Sequence, residues 1–201
     1  MHVVFLNSKG TWRDIADSAR TTIGLDPKSG EVPPSWRRRM LLCEHSPIRQ
    51  LLLKWKWVDL KSWVSVHFVR HHEGIQHWVK TARTDRTGYE GSRDDLSQGN
   101  LVIHECEANA QAIINISRKR LCRQASPETR EAWRAFLESF KYIEPELYRV
   151  CVPECVYRNG LCPEYRTCGY SLTDEFKGEL NEYLGDMYGR TIQSQYSEII
   201  H

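Results

Sequence analysis

Residues 108–122 read Ala-Asn-Ala-Gln-Ala-Ile-Ile-Asn-Ile-Ser-Arg-Lys-Arg-Leu-Cys, and the interpretation of the chain starts from this stretch. It contains no Gly or Pro and is rich in good helix formers, so it is predicted to be a helix. Asn109 and Arg120 lie at the two ends of one apolar face, roughly 16 Å apart, and Asn115 points about a third of a turn away. This arrangement suits a long, flat ligand with polar edges, although an ordinary amphipathic core helix has the same pattern.

Length and composition indicate a single folded domain. The chain has 201 residues, of which 40% are hydrophobic, and this excludes a disordered tail or a coiled coil. A net charge of +2 does not by itself indicate a nucleic-acid partner. Because no apolar run is long enough to span a membrane and no signal peptide follows Met1, we expect a cytoplasmic protein without a membrane partner.

The first third of the chain is predicted to alternate between strands and helices. Residues 3–6 form a short apolar strand, and residues 12–23 form a helix that ends at Gly24. A helix over residues 36–43 begins at Ser35, which is a good N-cap residue. Strict alternation over residues 53–57 indicates a strand with one face in water.

Residues 59–100 are predicted to hold a dense group of polar side chains. Asp59 is expected to cap a helix that ends in Arg70-His71-His72-Glu73. Residues 75–83 alternate as a strand, on which Thr81 and Arg83 point the same way. The polar stretch 84–100 is expected to be a long loop, which is either functional or a mobile surface excursion.

Four cysteines cluster in a Gly- and Pro-rich stretch near the end of the chain. A tetrahedral zinc site is one interpretation, but spacings of three, six and five intervening residues match no common ligand knuckle. No metal is therefore assigned, and the candidate ligands are Cys151, Cys155, Cys162 and Cys168. A module that binds nucleic acid through these cysteines and Arg37 to Arg39 is the alternative of another class.

The end of the chain is predicted to be helical. Ser126 followed by Pro127 caps a helix whose buried face includes Trp133 and Phe136. Thr173 caps another helix over residues 173–187, and the polar tail after Gly189 is expected to be loosely held. The expected organisation is a main domain over residues 1–170, with a C-terminal helix and tail over residues 171–201.

The order and spacing of several motifs resemble the flavin-dependent thymidylate synthase family. Asn109, Asn115 and Arg120 resemble the helix of two asparagines and a later arginine in that family. The other matching pieces are Ala19-Arg20-Thr21-Thr22, His45, Arg70-His71-His72, Thr81-Ala82-Arg83 and Arg93-Asp94-Asp95-Leu96. The resemblance covers about residues 3–164 and implies an α/β (α+β) fold with a mixed sheet and flanking helices.

The resemblance also implies a reaction and its cofactors. Members of the family methylate dUMP at C5, with FAD, with methylenetetrahydrofolate as carbon donor and with NADPH as reductant, and they form homotetramers with shared active sites. By position, the residues implied to contact FAD are Thr22, His45, Arg70, His71, His72, Asn109, Asn115 and Gln124. The residues implied to bind the nucleotide are His67, Thr81, Arg83, Arg93 and Arg120, and Arg120 is also the implied catalytic residue at the uracil carbonyl.

Several departures from the family pattern leave the substrate open. His72 stands in place of an arginine, Gln124 in place of a histidine and His67 in place of a glutamine. A neutral imidazole is a weaker partner for phosphate than a guanidinium. An enzyme of the same fold that methylates UMP, or leaves a hydroxymethyl group on a pyrimidine nucleotide, is therefore the second interpretation.

Overall fold

A four-stranded antiparallel sheet forms the centre of the protein. The computed structural model describes residues 1–188, with strands in the spatial order β1-β2-β4-β3. The strands are β1 (His2–Lys9), β2 (Leu52–Lys61), β3 (Ile75–Val79) and β4 (Leu101–Asn109). Together with its flanking helices, this sheet confirms the predicted α/β fold class, and each of its three strand pairs is antiparallel.

The core is built from large aromatic rings on one face of β2. Trp55 and Trp57 alternate with lysines along the strand, and both are completely buried. Trp55 stacks on Phe136 with ring centroids 3.7 Å apart, and Trp57 stacks on Phe68 at 4.5 Å. Burying each such ring contributes on the order of 2 kcal/mol, so β2 is firmly held in the centre of the sheet.

Nine α-helices lie among the described residues, and their ends agree only in part with the predicted ones. Ser126 caps its helix as predicted, because its side-chain oxygen accepts from Thr129 N. Ser35 does not act as a cap, because that helix begins at Pro34 and Ser35 lies inside its first turn. The helices are α1 (Trp12–Thr21), α2 (Pro34–Leu42), α3 (Ser62–Val69), α4 (Thr84–Thr87), α5 (Ala110–Arg120), α6 (Pro127–Phe140), α7 (Pro145–Val150), α8 (Glu154–Tyr157) and α9 (Asp174–Tyr188).

Strand β4 was not predicted, and it changes how the helix after it begins. Asn109 is the last residue of β4 and the N-cap of α5, so the helix begins at Ala110 rather than at residue 108. Leu121 caps the other end, and Cys122 lies outside the helix. The sheet therefore leads into α5 with no intervening loop.

Two predictions about strand ends were wrong. Asp59 does not cap a helix: it lies within β2 at an irregularity in the pairing, with a left-handed φ of 58°. Strand β3 ends at Val79, so Thr81 and Arg83 are not on one strand face. Residues 84–100 are mostly irregular as predicted, although they include α4 and a 3-10 helix, Arg93–Asp95.

A second, smaller apolar cluster holds the C-terminal helix. Phe176 and Tyr183 of α9 pack with Val156 of α8 and with Tyr170. Thr173 caps α9 as predicted, because its hydroxyl accepts from Phe176 N at 3.2 Å. The polar tail expected after Gly189 lies outside the described residues. Over the part of the chain that the structure describes, no helix is both long enough and apolar enough to cross a membrane.

Candidate active site

The start of α5 lines a polar cavity together with the segment that precedes β3. The Asn109 side-chain oxygen accepts from Ala112 N at 2.9 Å, and this bond leaves its amide nitrogen directed at Gly74. A Cβ on Gly74 would lie 2.6 Å from that nitrogen, so only glycine fits there. Asn109 and Asn115 both line the cavity, whose volume is about 180 Å³. The two predicted amides are thus brought together.

Asn115 is held by its neighbours on the same helix. Its side-chain oxygen accepts from Gln111 Nε2 at 3.2 Å and from Arg118 Nη1 at 3.3 Å. Glu44 binds both donors, with Gln111 Nε2 at 2.5 Å and Arg118 in an ion pair. Because both bonds use its oxygen, the amide group of Asn115 has a fixed orientation.

Arg120, at the other end of α5, is bound by two histidine residues of the α3 end. Its Nε–H donates to His71 Nε2 at 2.8 Å, and its Nη2–H donates to the His67 carbonyl at 2.6 Å. Among the described residues Nη1 has no hydrogen-bond partner, so it can reach a ligand. The predicted catalytic arginine and the predicted flavin-side histidine are therefore in direct contact.

The histidines around Arg120 are held in the neutral form. Burial, followed by the charge of Arg120, lowers the pKa of His71 to about 4. Burial and the same guanidinium also lower the pKa of His67. His71 can therefore accept from Arg120 at neutral pH, and Arg120 remains the local positive charge because arginine keeps its proton in proteins.

A chain of buried polar groups, which the sequence did not indicate, holds His71 from behind. His77 Nε2–H donates to the His71 carbonyl at 2.6 Å, and His77 Nδ1 lies 2.9 Å from His104 Nε2. His104 contacts Ser65 Oγ at 3.0 Å, and Cys106 Sγ lies 3.3 Å from His77 Nδ1. Both ring nitrogens of His77 and both of His104 have a partner. In the sequence, this group of residues is indicated only by the alternation of residues 102–108.

The predicted phosphate-binding residues lie at the opposite end of β4 from Asn109. Thr81 lines a separate cavity of about 360 Å³ with Leu101, the first residue of β4. The length of β4 places this cavity roughly 26 Å from Asn109. Arg83 is exposed and paired with Asp85 at 2.7 Å, and Arg93 is exposed in its short helix. Within the described residues, no hydrogen bond joins either arginine to Arg120.

The other predicted flavin-side residues lie in different surroundings. Thr22 is exposed and its hydroxyl donates to the Ala19 carbonyl at 2.7 Å, while Gln124 is exposed and bonds the Arg166 carbonyl at 2.7 Å. Arg70 and His72 are exposed beside His71. His45 is half-buried, and its Nδ1 is a buried atom without a hydrogen-bond partner in the described part of the chain.

The structure separates one of the candidate cysteines from the other three. Cys122, Cys155, Cys162 and Cys168 line one small cavity, whereas Cys151 is not among its lining residues. Cys151 is instead buried in the main core. Spacing along the chain suggested Cys151 because it is near the others, but the fold brings Cys122 from the end of α5 into that place.

Comparison with known proteins identifies the fold. No protein-family model and no curated protein matches the sequence. Among solved structures, the Helicobacter pylori flavin-dependent thymidylate synthase complexed with FAD and dUMP matches with a TM-score of 0.62 and 15% identity, over 76% of this chain and 100% of that chain. The UMP/dUMP methylase PolB of Streptomyces cacaoi, bound with 5-Br dUMP, matches with a TM-score of 0.61 and 12% identity, over 74% and 93% of the two chains.

At these identities the match establishes the fold, which is that of the flavin-dependent thymidylate synthases. This confirms the architecture that the motifs in the sequence implied.

Proposed function

We propose that this protein is a flavin-dependent enzyme that methylates dUMP at C5. The observation that carries the proposal is the arrangement on α5, where Asn109 and Asn115 share one cavity while Arg120 contacts His71. These are the positions that the sequence motifs assign to the flavin and to the uracil. The shared fold with structures that bind FAD and dUMP supports the same assignment.

The residues present fit FAD as the cofactor. The buried Nδ1 of His45 lacks a partner within the described residues, and a polar ligand group would supply one. The closeness of Gly74 to Asn109 keeps side chains out of the cavity, and Arg49 adds a positive charge to its lining. When bound, FAD would supply the redox chemistry, while the protein supplies orientation and charge.

Arg120 is proposed to act on the uracil ring. Its Nε and Nη2 atoms are bound within the chain, which fixes the guanidinium plane, and Nη1 has no hydrogen-bond partner among the described residues. A fixed cation at a uracil carbonyl stabilises the negative charge that develops when the ring reacts. Because His67 and His71 are neutral, they position Arg120 without competing for that charge.

The phosphate group is proposed to be bound by Thr81, Arg83 and Arg93 of a second chain. Within the described residues no hydrogen bond joins Thr81, Arg83 or Arg93 to Arg120, and the cavity that Thr81 lines is separate from the one beside Asn109 and Asn115. Arginine side chains bind phosphate through paired N–H donors, which suits an exposed loop that reaches across to a neighbour. A homotetramer with shared sites, methylenetetrahydrofolate as carbon donor and NADPH as reductant complete the proposal.

UMP is the second candidate substrate, and the structural similarity to a UMP/dUMP methylase supports testing it beside dUMP. The test is to purify the full chain, record its flavin absorbance, and supply dUMP or UMP with methylenetetrahydrofolate and NADPH. We expect a yellow protein that releases dTMP faster than ribothymidylate, with identification of the product by mass. A colourless protein that does not take up added FAD would contradict the proposal, and faster conversion of UMP would reassign the substrate.

A further inference from the structure

Four cysteines from two separate parts of the chain meet beside the C-terminal end of α5. Cys122 follows that helix, Cys155 lies in α8, and Cys162 and Cys168 lie in the irregular stretch after it. The free space between them is about 10 Å³, which is about one water-sized sphere. All four are free thiols. The cavity therefore offers four soft ligands around a space the size of a single ion.

The stretch between α8 and Tyr170 has little else to hold it. Residues 158–169 contain no helix or strand, and Asn159, Gly160 and Gly169 have left-handed backbone conformations. Its large apolar side chains face water, since Leu161 is 66% exposed and Tyr165 is 99% exposed. Segments too short to bury a core are often fixed by a structural metal instead, as in zinc-binding domains.

The surroundings of the thiols favour sulfur as the only donor type. Two carboxylates also line the cavity, but both are in ion pairs: Glu154 lies 2.5 Å from Arg158 Nε and 3.8 Å from Lys119 Nζ, and Glu164 lies 3.9 Å from Lys119 Nζ. Sets of thiolate ligands select zinc.

In this structure the four thiols line the cavity without forming a ligand shell. Within the described residues, no three of these sulfur atoms lie within 4.8 Å of one another. An ion with sulfur at about 2.3 Å would draw them inward through rotation about the Cα–Cβ bonds and would release the thiol protons.

We propose that Cys122, Cys155, Cys162 and Cys168 bind one zinc ion, which fastens the irregular stretch to the end of α5. The hydrogen bond from Gln124 to the Arg166 carbonyl already joins the same two segments. Cys122 lies two residues after Arg120, so the ion would fix the end of the helix that bears this arginine. The site is structural, and it does not depend on which nucleotide the protein binds.

The test uses the full chain, reduced and purified without chelator. We expect one bound zinc per chain by elemental analysis, and an X-ray absorption spectrum that fits four sulfur atoms and no nitrogen. Replacement of zinc by Co²⁺ should give an intense sulfur-to-metal charge-transfer band. A chain that binds neither Zn²⁺ nor Co²⁺ would overturn the proposal. So would a shell of mixed nitrogen and sulfur, which would place the ion at His77, His104 and Cys106, whose donor atoms lie within 4.8 Å.

Variants separate this set of ligands from the other cysteines. C162S should reduce the zinc content to a small fraction of one per chain, whereas C43S and C151S should keep it at one. Cys43 is exposed, and Cys151 is buried outside the cavity. The two controls therefore show what replacing an exposed thiol or a buried thiol does when that thiol is not a proposed ligand. Loss of zinc from C151S with retention in C162S would contradict the assignment. If C162S does not fold, the absorption spectrum of the unchanged chain still decides the question.

Discussion

Arg120 is the single residue on which the proposed chemistry depends most. A lysine at this position keeps a positive charge, but it lacks the planar group that bonds both His71 and the His67 carbonyl. We expect Arg120→Lys to lower kcat by about 10²–10³-fold, as loss of an oriented charge-stabilising donor does in other enzymes. Flavin absorbance and the far-ultraviolet circular dichroism should be unchanged.

The control for this variant is Lys119→Ala, which removes an exposed positive charge from the same turn of α5. Its kcat should be close to that of the unchanged enzyme. Equal activity of Arg120→Lys and the unchanged enzyme, at saturating nucleotide, would remove Arg120 from the reaction.

His104 makes the stability of the protein depend on pH. Burial and the nearby His77 lower its pKa to about 3, against about 6.5 in the unfolded chain. The unfolded state therefore takes up a proton first as the pH falls. The stabilisation is complete above about pH 6.5 and is lost as the pH falls toward 3, by on the order of 5 kcal/mol.

Urea unfolding at a series of pH values would measure this loss. His104→Gln keeps a polar side chain but cannot titrate, so its free energy of unfolding should change less over the same range. His2→Gln alters an exposed histidine and should leave the pH dependence as it is. An identical slope for His104→Gln and the unchanged protein would assign the acid sensitivity to other groups.

The two asparagines and Arg120 could be singled out from the sequence because their spacing on a helix is regular. The histidines that support them could not, because they belong to three separate elements and meet only when β3 pairs with β4. Cys122 was excluded from the cysteine group for the same reason: its distance along the chain gave no indication that it lies beside Cys155.

At the scale of elements, α5 combines a structural cap with a proposed ligand contact at Asn109. Asn109→Ala removes the oxygen that accepts from Ala112 N, which should cost about 1 kcal/mol in the free energy of unfolding. It should also weaken FAD binding, because the amide lines the cavity. Ser126→Ala removes the corresponding cap of α6 and gives a matched comparison.

Chemical unfolding and a flavin fluorescence titration of the two variants separate the effects. We expect similar losses of stability, with a raised Kd for FAD only in Asn109→Ala. Equal Kd values in both variants would show that Asn109 acts as a cap alone.

Elements with a clean pattern of residues could be predicted, and those with a mixed pattern could not. The aromatic alternation of β2 and the capped start of α6 are clear in the sequence, and both are confirmed. Strand β4 was missed because its buried positions include His104 and Cys106, which interrupt the apolar signal. Asp59 was assigned to a helix because an aspartate before an apolar run is a common cap, whereas here the pairing irregularity determines its conformation.

At the scale of the whole molecule, the proposal that two chains share one site predicts complementation between chains. Arg120→Ala and Arg83→Ala should each be inactive, since one affects the uracil contact and the other the phosphate contact. When the two variants are co-expressed with different tags and purified together, some sites should pair an intact α5 with an intact loop. We therefore expect partial recovery of activity in the mixed oligomer, measured as dTMP formation.

The matched control is Arg86→Ala, which removes an exposed arginine from the same loop and should remain active by itself. Mixed oligomers without any recovery would place the complete site within one chain and would contradict the shared arrangement.

The fold class of the whole molecule could be predicted because the order and spacing of the motifs resemble one family, although strand β4 could not. The side of the molecule on which each motif falls could not be predicted, since it depends on where β3 ends. Of the three arginines at residues 37–39, Arg37 is engaged within the fold, because it packs over the Trp12 ring at 5.7 Å and donates to the Val32 carbonyl.

The direct passage of β4 into α5 limits where the chain can change in length without disturbing the proposed site. Because no residues separate them, the hydrogen-bonded register of β4 with β2 determines the position of α5 relative to the sheet and its rotation about its own axis. Insertion of one residue into β4 would rotate Asn109 and Asn115 together, away from the cavity that they line. It would also move the side chains of β4 that lie opposite Trp55 and Trp57 to the other face of the sheet. Insertions and deletions should therefore be tolerated best in residues 84–100, where they leave the register of β4 unchanged.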